Sequence, residues 1–323
     1  MNLWDMTDLA LPWSIRVVAT LRIADKMEAG ISDIDELAAA AKCDSGVLRG
    51  VLEFLVDKGL FEEPSPGQFR LNEPARGLLE PALLIGLDLD GIGGRMAGAW
   101  GTLLSYVRSG IPAYHEAFGL PFWEDLEAHP EIAASFDALI GPRGHGNFTG
   151  DLEITGGWED VRTVVDVGGG TGAMLAAILE LRPNVRGVLV ELPRTVERAA
   201  GTFRTAGVEH RVTAVAQSFF DPLPPGADIY LLRGVLNNWA DAEAVALLSR
   251  CAEAARPAGR VVILKSVSAD CARHGFPISM LMVGGKDRSI TEFRSIAQQS
   301  GLVVVAAGQQ PSGYFAVECR PVA

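Results

Sequence analysis

Residues 164–172 read Val-Val-Asp-Val-Gly-Gly-Gly-Thr-Gly, and this stretch constrains the fold more than any other part of the chain. The β-branched residues before the glycines are typical of a buried parallel strand. Gly168, Gly170 and Gly172 allow the next turn to tighten and to approach a ligand closely. Residues 173–181 are then predicted to form a helix whose amino end points at that ligand. The order strand, glycine turn and helix predicts a site for a nucleotide-like ligand.

The glycine spacing fits two kinds of cofactor loop. Gly168, Gly170 and Ala173 satisfy the GxGxxG/A fingerprint of dinucleotide sites. Asp166, together with glycine at 168, 170 and 172, satisfies the DxGxGxG loop of methyltransferases that use S-adenosylmethionine (SAM). The acid on the strand favours SAM.

Two further side chains are predicted to border the same ligand. A second strand over residues 187–190 ends in Glu191, whose carboxylate is placed to accept hydrogen bonds from both ribose hydroxyls of either cofactor. Phe219 follows a third strand and is a candidate wall for an adenine ring. Phe220, next to it, is better explained as a core residue.

The alternation of elements after residue 150 predicts an α/β fold with a doubly wound sheet. Residues 302–306 and 314–319 are expected to close it as an antiparallel pair, which fits a SAM-type fold better than a dinucleotide fold. We therefore predict a SAM-binding, Rossmann-like catalytic domain over residues 151–323. Residues 1–150 read as a separate helical domain that caps the substrate, with the glycine-rich residues 141–157 leading from one to the other.

The first domain shows winged-helix patterning, with two short helices and a hairpin predicted over residues 60–71. A winged helix raises the alternative of a DNA-binding regulator. Acidic residues outnumber basic ones in residues 1–70, and the whole chain carries a formal charge of −12, which argues against nucleic-acid binding. We expect a packing and dimerisation module.

Cysteine usage and hydropathy also limit the protein class. The four cysteines show no CxxC spacing, so neither a zinc site nor a disulfide framework is indicated. No basic leader precedes an apolar segment, and no apolar run is long enough for a membrane helix. We expect a cytoplasmic enzyme that acts on a small molecule.

These motifs together resemble class I SAM-dependent O-methyltransferases of bacterial natural-product pathways, in particular the branch acting on anthracycline-like aromatic polyketides. The resemblance covers nearly the whole chain and includes LALPWSIRVVATLRIA at residues 9–24, the glycine loop and residues 231–239. It implies a homodimer, an aromatic or polyketide-like substrate, and a role in antibiotic biosynthesis and secondary metabolism. It also implies the following cofactor-binding residues: Asp166, Gly168, Gly170, Glu191, Leu192, Ser218, Phe219 and Arg233.

The chain departs from this family at several positions. The family commonly has a histidine base in a Leu-His-Asp-Trp segment, which here reads Leu-Asn-Asn-Trp over residues 236–239. Ser218, Ala133 and Arg233 stand where the family has other cofactor contacts, and Lys265 replaces a carboxylate. Arg233 is a candidate to take over the SAM carboxylate, because a guanidinium binds a carboxylate bidentately.

Two functions remain open at this point. The first is methyl transfer to a hydroxyl or amine by positioning, since asparagine is not a base at neutral pH. The alternative is a hydroxylase, decarboxylase or cyclase of the same fold that binds SAM structurally or not at all. Candidate catalytic residues are Asn237, Asn238 and Asp287, and candidate substrate contacts are Trp100, Tyr106, Asn238 and Met280. Helix capping is the alternative role for the two asparagines.

Overall fold

The computed structural model describes residues 2–140, 151–270 and 278–322. The chain divides into two compact units, one containing the described residues of 1–102 and 117–139 and the other those of 103–116 and 140–323. The predicted division at residue 150 stays a prediction, because residues 141–150 lie outside the described ranges.

The amino-terminal half of the described chain is helical apart from one hairpin. In chain order its elements are α1 Leu3–Thr7, α2 Ala10–Thr20, α3 Ile23–Glu28, α4 Ile34–Ala41, α5 Ser45–Asp57, β1 Glu62–Ser65, β2 Gln68–Arg70, α6 Glu73–Arg76, α7 Pro81–Leu87, α8 Ile92–Ala99, α9 Leu103–Ser109, α10 Tyr114–Phe118, α11 Phe122–Ala128 and α12 Pro130–Ile140. Asp33 and Asp44 cap α4 and α5 with their carboxylates, and the predicted hairpin forms between β1 and β2.

Two helical segments are shorter than the sequence pattern indicates. The pattern over residues 91–107 is divided between α8 and α9, which are separated by a short 3-10 turn. The pattern over residues 122–140 is divided at His129, because Pro130 has no N–H to donate and instead begins a new helix.

The other unit contains the large sheet. Its further elements are β3 Thr163–Val167, α13 Ala173–Leu181, β4 Arg186–Glu191, α14 Pro193–Thr205, β5 Val212–Ala216, β6 Ile229–Arg233, α15 Asp241–Ala254, β7 Arg260–Leu264, α16 Ile278–Met282, α17 Ile290–Gln299, β8 Leu302–Gln309 and β9 Phe315–Pro321. The strand order is β5-β4-β3-β6-β7-β9-β8, with β3 to β7 parallel and β9 antiparallel to both of its neighbours. The α/β fold and its terminal antiparallel pair are as predicted.

Alternate residues of the central strands enter cores on opposite faces of the sheet. Tyr230 and Leu232 of β6 pack on the side of α15 and α17, whereas Ile229 and Leu231 pack on the side of α13 and α14. Burial on both faces explains the near-continuous apolar sequence of these strands. Across the described residues, no helix is both long and apolar enough to span a membrane.

The sheet also positions the candidate site. The carboxyl ends of β3 to β7 meet at one edge, which we call the carboxyl edge. The chain leaves β3 toward β4 and β5 on one side and later returns to β6 and β7 on the other. Ligands of doubly wound sheets bind in the crevice at such a switch point, which here lies between β3 and β6.

Candidate cofactor and acceptor site

The glycine loop follows β3 at the carboxyl edge. Gly168, Gly170 and Gly172 have φ angles of 67°, 58° and 74°, which favour glycine. A Cβ atom on Gly170 would meet nothing within 4 Å, whereas one on Gly168 would lie 3.1 Å from Val235 Cγ2 and 3.3 Å from Phe219 Cδ1. The loop is therefore packed against the protein at Gly168 and faces open space at Gly170.

Glu191 ends β4 beside this loop and is held by backbone donors. Its Oε2 accepts a hydrogen bond from the Gly170 N–H at 3.0 Å, and its Oε1 accepts one from the Leu192 N–H at 2.8 Å. Each carboxylate oxygen has a second lone pair. The carboxylate is thus fixed next to the glycine loop.

Asp166 lies under the loop on β3 and is 1% exposed. Its Oδ2 is buried without a hydrogen-bond partner among the described residues. Burial, together with the charge of Glu191, raises its pKa to about 7, and the positive charge of Arg233 opposes this shift. A buried acceptor without a partner is costly, so this edge suits a ligand that brings donors or positive charge.

Three aromatic side chains form a cluster that reaches the loop through Phe219. The Phe219 ring centroid lies 5.0 Å from that of Phe220 and 5.9 Å from that of Trp239, and the Phe220 and Trp239 centroids are 5.0 Å apart. The Ser218 side chain makes a local hydrogen bond, in which its Oγ accepts the Phe220 N–H at 3.2 Å. Phe219 packs on Gly168, and both Phe219 and Phe220 pack against the core. A cofactor-wall role for Phe219 stays a prediction.

The glycine loop, the fixed Glu191 carboxylate and the aromatic wall fit a nucleoside cofactor. Residues 166–170 and 191–192 supply acceptors and a close backbone approach, and Phe219 offers a flat apolar face. The predicted cofactor residues Asp166, Gly168, Gly170, Glu191, Leu192, Ser218 and Phe219 all lie around this loop.

Arg233 ends β6 and extends the site toward β7. Its Nη2 lies 3.4 Å from the Tyr314 hydroxyl oxygen, and its Cζ lies 5.2 Å from the Tyr314 ring centroid. Lys265, which follows β7, places its Nζ 5.8 Å from the centroid of the same ring. Two cations thus share one aromatic partner, which is the geometry of a cation–π contact.

Asn237 and Asn238 lie in a short 3-10 turn after β6. Asn237 Oδ1 accepts a hydrogen bond from Ser266 Oγ at 3.0 Å, and Asn238 Nδ2 donates one to the Gly234 carbonyl oxygen at 3.1 Å. Both asparagines therefore support the turn in this structure. Asp287 Oδ1 accepts the Arg288 N–H at 3.0 Å. None of these hydrogen bonds makes an asparagine able to take up a proton as a histidine base does.

Arg288 is a residue that the sequence reasoning missed. Its side chain is 1% exposed, yet it ties the turn together. Its guanidinium donates to Leu236 O at 2.9 Å, to Trp239 O at 2.8 Å and to Asp241 Oδ1 at 3.0 Å. The partners lie some fifty residues away, so no local pattern reveals them. Tyr314 was also missed, because a lone tyrosine before a strand carries no signal of its own.

The remaining candidate substrate residues are less closely grouped. Met280 lies in α16, and Tyr106 lies in α9 of the same unit. Trp100 belongs to the other unit, where its side chain is 42% exposed. Ala133 of α12 is buried in that unit as well. A substrate role for these residues remains a prediction.

No group of three or more potential metal ligands occurs in the described parts of the chain.

Comparison with known proteins agrees with the geometry of the edge. A profile of the O-methyltransferase domain matches residues 100–303. The chain belongs to the O-methyltransferase family. This family uses SAM, so the predicted family, α/β fold, enzyme class and cofactor are confirmed.

The relatives include enzymes that differ in their activities. The 2,7-dihydroxy-5-methyl-1-naphthoate 7-O-methyltransferase of Streptomyces carzinostaticus is 38% identical over 97% of this chain and 95% of its own. Aclacinomycin 10-hydroxylase of Streptomyces purpurascens is 37% identical over 96% of this chain and 85% of its own.

A solved structure is similar over the whole length. The O-methyltransferase from neocarzinostatin biosynthesis, crystallised with SAM and 2-hydroxy-5-methyl naphthoic acid, has a TM-score of 0.84 and 37% identity, over 100% of this chain and 99% of its own.

Proposed function

We propose that the protein transfers the methyl group of SAM to a hydroxyl or amine of an aromatic, polyketide-like metabolite of antibiotic biosynthesis. The observation that carries this proposal is the Glu191 carboxylate, fixed by the Gly170 N–H at the end of β4 in a chain of the O-methyltransferase family. The naphthoate O-methyltransferase relative and the naphthoic acid complex support an aromatic acceptor.

The arrangement supports catalysis by positioning. When bound, SAM supplies an electrophilic methyl group. The protein's part is to hold the acceptor in line with it, because a well-oriented reaction gains most of its rate from proximity. Asn238, in the turn after β6, is proposed to orient the acceptor. Asn237, in the same turn, and Asp287 are proposed to lie beside the acceptor. A phenol that is acidic enough needs no strong base.

Arg233 is proposed to bind the carboxylate of the SAM methionine moiety. It ends the strand next to β3, and its charge reaches Asp166 under the glycine loop. Loss of SAM affinity in Arg233→Ala is the expected result, and unchanged affinity would contradict this role.

We further propose that the protein is a homodimer and works in the cytoplasm. Exposed apolar residues at the amino terminus, including Leu3, Trp4 and Leu9, support association through that region. Light scattering of the purified protein measures its mass directly, and a monomeric mass at micromolar concentration would contradict the dimer.

The alternative, a hydroxylase, decarboxylase or cyclase on the same fold, is not favoured. The hydroxylase relative supports it, whereas the other relative and the solved structure described above are methyltransferases. The two functions differ in one measurable quantity. A methyltransferase forms one S-adenosylhomocysteine (SAH) for each product, whereas the alternative leaves SAM unconsumed.

The test begins with calorimetric titration of SAM into the wild-type protein and into Glu191→Ala. We expect micromolar binding by the wild type and about a 30-fold loss in the variant, the scale of a charge-assisted hydrogen bond of roughly 2 kcal/mol. SAH formation is then measured with 2,7-dihydroxy-5-methyl-1-naphthoate as the trial acceptor. No SAM binding by the wild type would overturn the proposal.

A further inference from the structure

The part of the carboxyl edge beyond the glycine loop carries two cations on one aromatic side chain. Arg233 ends β6, Lys265 follows β7 and Tyr314 precedes β9. The Arg233 Cζ and the Lys265 Nζ lie 5.2 Å and 5.8 Å from the Tyr314 ring centroid. Three separate strands therefore bring these side chains to one place.

The order of the strands separates the two cations along the edge. The glycine loop follows β3, and β6, β7 and β9 come next in that order. In register, Asp166 lies beside Leu231, and Arg233 lies beside Leu264. Arg233 is thus the cation next to the cofactor loop, and Lys265 lies one strand farther from it. A reactant placed beyond the cofactor would meet Lys265.

The backbone and neighbours of Lys265 hold it at this position. Its φ of 59° lies in the left-handed region, which is uncommon for a residue other than glycine and concentrates at functional sites. A Cβ on Gly234 would lie 4.0 Å from both Lys265 Cδ and Asn237 Oδ1, so the lysine stem runs beside the turn that carries the candidate asparagines.

The electrostatics of the pair favour an anion. Lys265 is exposed at the surface but partly desolvated, and this desolvation together with the nearby charge of Arg233 lowers the pKa of its ammonium. Arg233 and Lys265 place two positive charges at this part of the edge, and clustered positive charge attracts anions. A carboxylate is the common anionic group of small aromatic metabolites, and both ammonium and guanidinium groups form charge-assisted hydrogen bonds with it.

We propose that Lys265 is a specificity-determining residue that binds the carboxylate of an aromatic acid acceptor, with Tyr314 as aromatic support. This inference rests on the proposed methyl transfer and deepens it, because it names the acceptor as an aromatic carboxylic acid. The shared chemistry is a carboxylate, which the methionine moiety of SAM also carries. The strand order assigns the acceptor's carboxylate to Lys265.

The test compares two ligands that differ by one carboxylate. 1-Hydroxy-2-naphthoic acid and 1-naphthol are each titrated by calorimetry into the full-length protein saturated with SAH. We expect the wild type to bind the acid at least tenfold more tightly. Lys265→Met should reduce that preference to about twofold while leaving the affinities for 1-naphthol and SAH unchanged.

Two further variants separate charge from structure. Lys265→Arg keeps a cation and should retain most of the preference for the acid. Arg320→Gln removes an exposed cation of β9 that donates to Ala258 O, at the opposite edge of the sheet, and should behave as the wild type. Thermal melting of each variant checks that it folds.

Several results would overturn the inference. One is a wild type without preference for the acid, and another is an unchanged preference in Lys265→Met. A third is a Lys265→Met variant that loses affinity for SAH but not for 5′-methylthioadenosine, which lacks the amino-acid carboxylate, since Lys265 would then bind the cofactor. Failure of the wild type to bind SAH at all would instead contradict the proposed function, so the two failures are distinguishable.

Discussion

The two halves of the carboxyl edge are built in different ways. The half after β3, β4 and β5 consists of the glycine loop, Glu191 and Phe219, and its contacts centre on the backbone of the loop, where the Gly170 N–H donates to Glu191 and Phe219 packs on Gly168. The half where β6 and β7 end and β9 begins is assembled from side chains of distant segments, including Lys265, Arg288 and Tyr314. In our proposal the first half binds SAM and the second half contacts the acceptor. Each prediction below tests this division.

The largest effect is expected at Arg288, which supports the second half. Arg288→Met removes the donors to Leu236 O and Trp239 O in a buried place, and we expect the free energy of unfolding to fall by roughly 4 kcal/mol. Urea denaturation measures this loss. SAM affinity extrapolated to fully folded protein should change little, because the glycine loop is untouched.

Lys286→Met is the matched control, since Lys286 Nζ also contacts Asp241, at 2.7 Å, but is 40% exposed. Burial alone would raise the pKa of Asp241, yet hydrogen bonds from Lys286 and Arg288 lower it overall. The exposed pair should contribute less than about 1 kcal/mol. Equal losses in both variants would show that the buried ties do not hold the turn.

In the first half, the buried Asp166 should make the free energy of unfolding depend on pH. The pKa of Asp166 is raised to about 7, mainly by burial. Between its unfolded value near 4 and pH 7 the native state keeps a proton that the unfolded state has lost, so stability falls as pH rises through this window. From pH 5 to pH 8 the loss should be roughly 3 kcal/mol, at about 1.4 kcal/mol per pKa unit.

Asp166→Asn should remove this contribution while leaving the titration of all other groups. The measurement is the difference between the wild-type and variant free energies of unfolding at pH 5 and at pH 8. If the two proteins show parallel pH profiles, the carboxyl of Asp166 titrates normally and the buried acid does not set the electrostatics of the cofactor half.

Alanine substitutions at two glycines of the same loop should affect different properties, stability in one case and SAM affinity in the other. Gly168→Ala adds a methyl group 3.1 Å from Val235 Cγ2 and strains a positive φ, so we expect a stability loss of about 2 kcal/mol. Gly170→Ala strains φ but meets open space, and about 1 kcal/mol is expected. Its methyl group faces the proposed cofactor, so SAM affinity should fall at least tenfold. The reverse pattern would place the cofactor elsewhere.

The same division explains what the sequence could predict. Strand β3, the glycine loop and Glu191 were predictable because a tight turn near a ligand demands glycine at fixed spacing. The terminal β8–β9 pair was also predictable from its apolar strands and turn. Two sets of contacts depend on strand order and register, which no local pattern encodes. They are the hydrogen bonds of Arg288 and the contacts of Arg233 and Lys265 with Tyr314. The break at Pro130, in contrast, was readable from the sequence, because a proline inside a helical pattern ends the helix at the preceding residue.

The smallest effect is expected at Asn238, in the second half. Asn238 Nδ2 makes one hydrogen bond, to Gly234 O, so Asn238→Ala should cost only about 1 kcal/mol of stability. Turnover of 2,7-dihydroxy-5-methyl-1-naphthoate, measured as SAH formed, should fall about tenfold, or roughly 1.4 kcal/mol, if the amide orients the acceptor. SAM affinity should stay within twofold of the wild type. Asn237→Ala, which removes the acceptor of the Ser266 hydroxyl, tests whether loosening the same turn has that effect. Both variants disturb the turn, so a loss of turnover in Asn238→Ala alone would indicate contact with the acceptor and not support of the backbone. Equal turnover in Asn238→Ala and the wild type would remove Asn238 from the site.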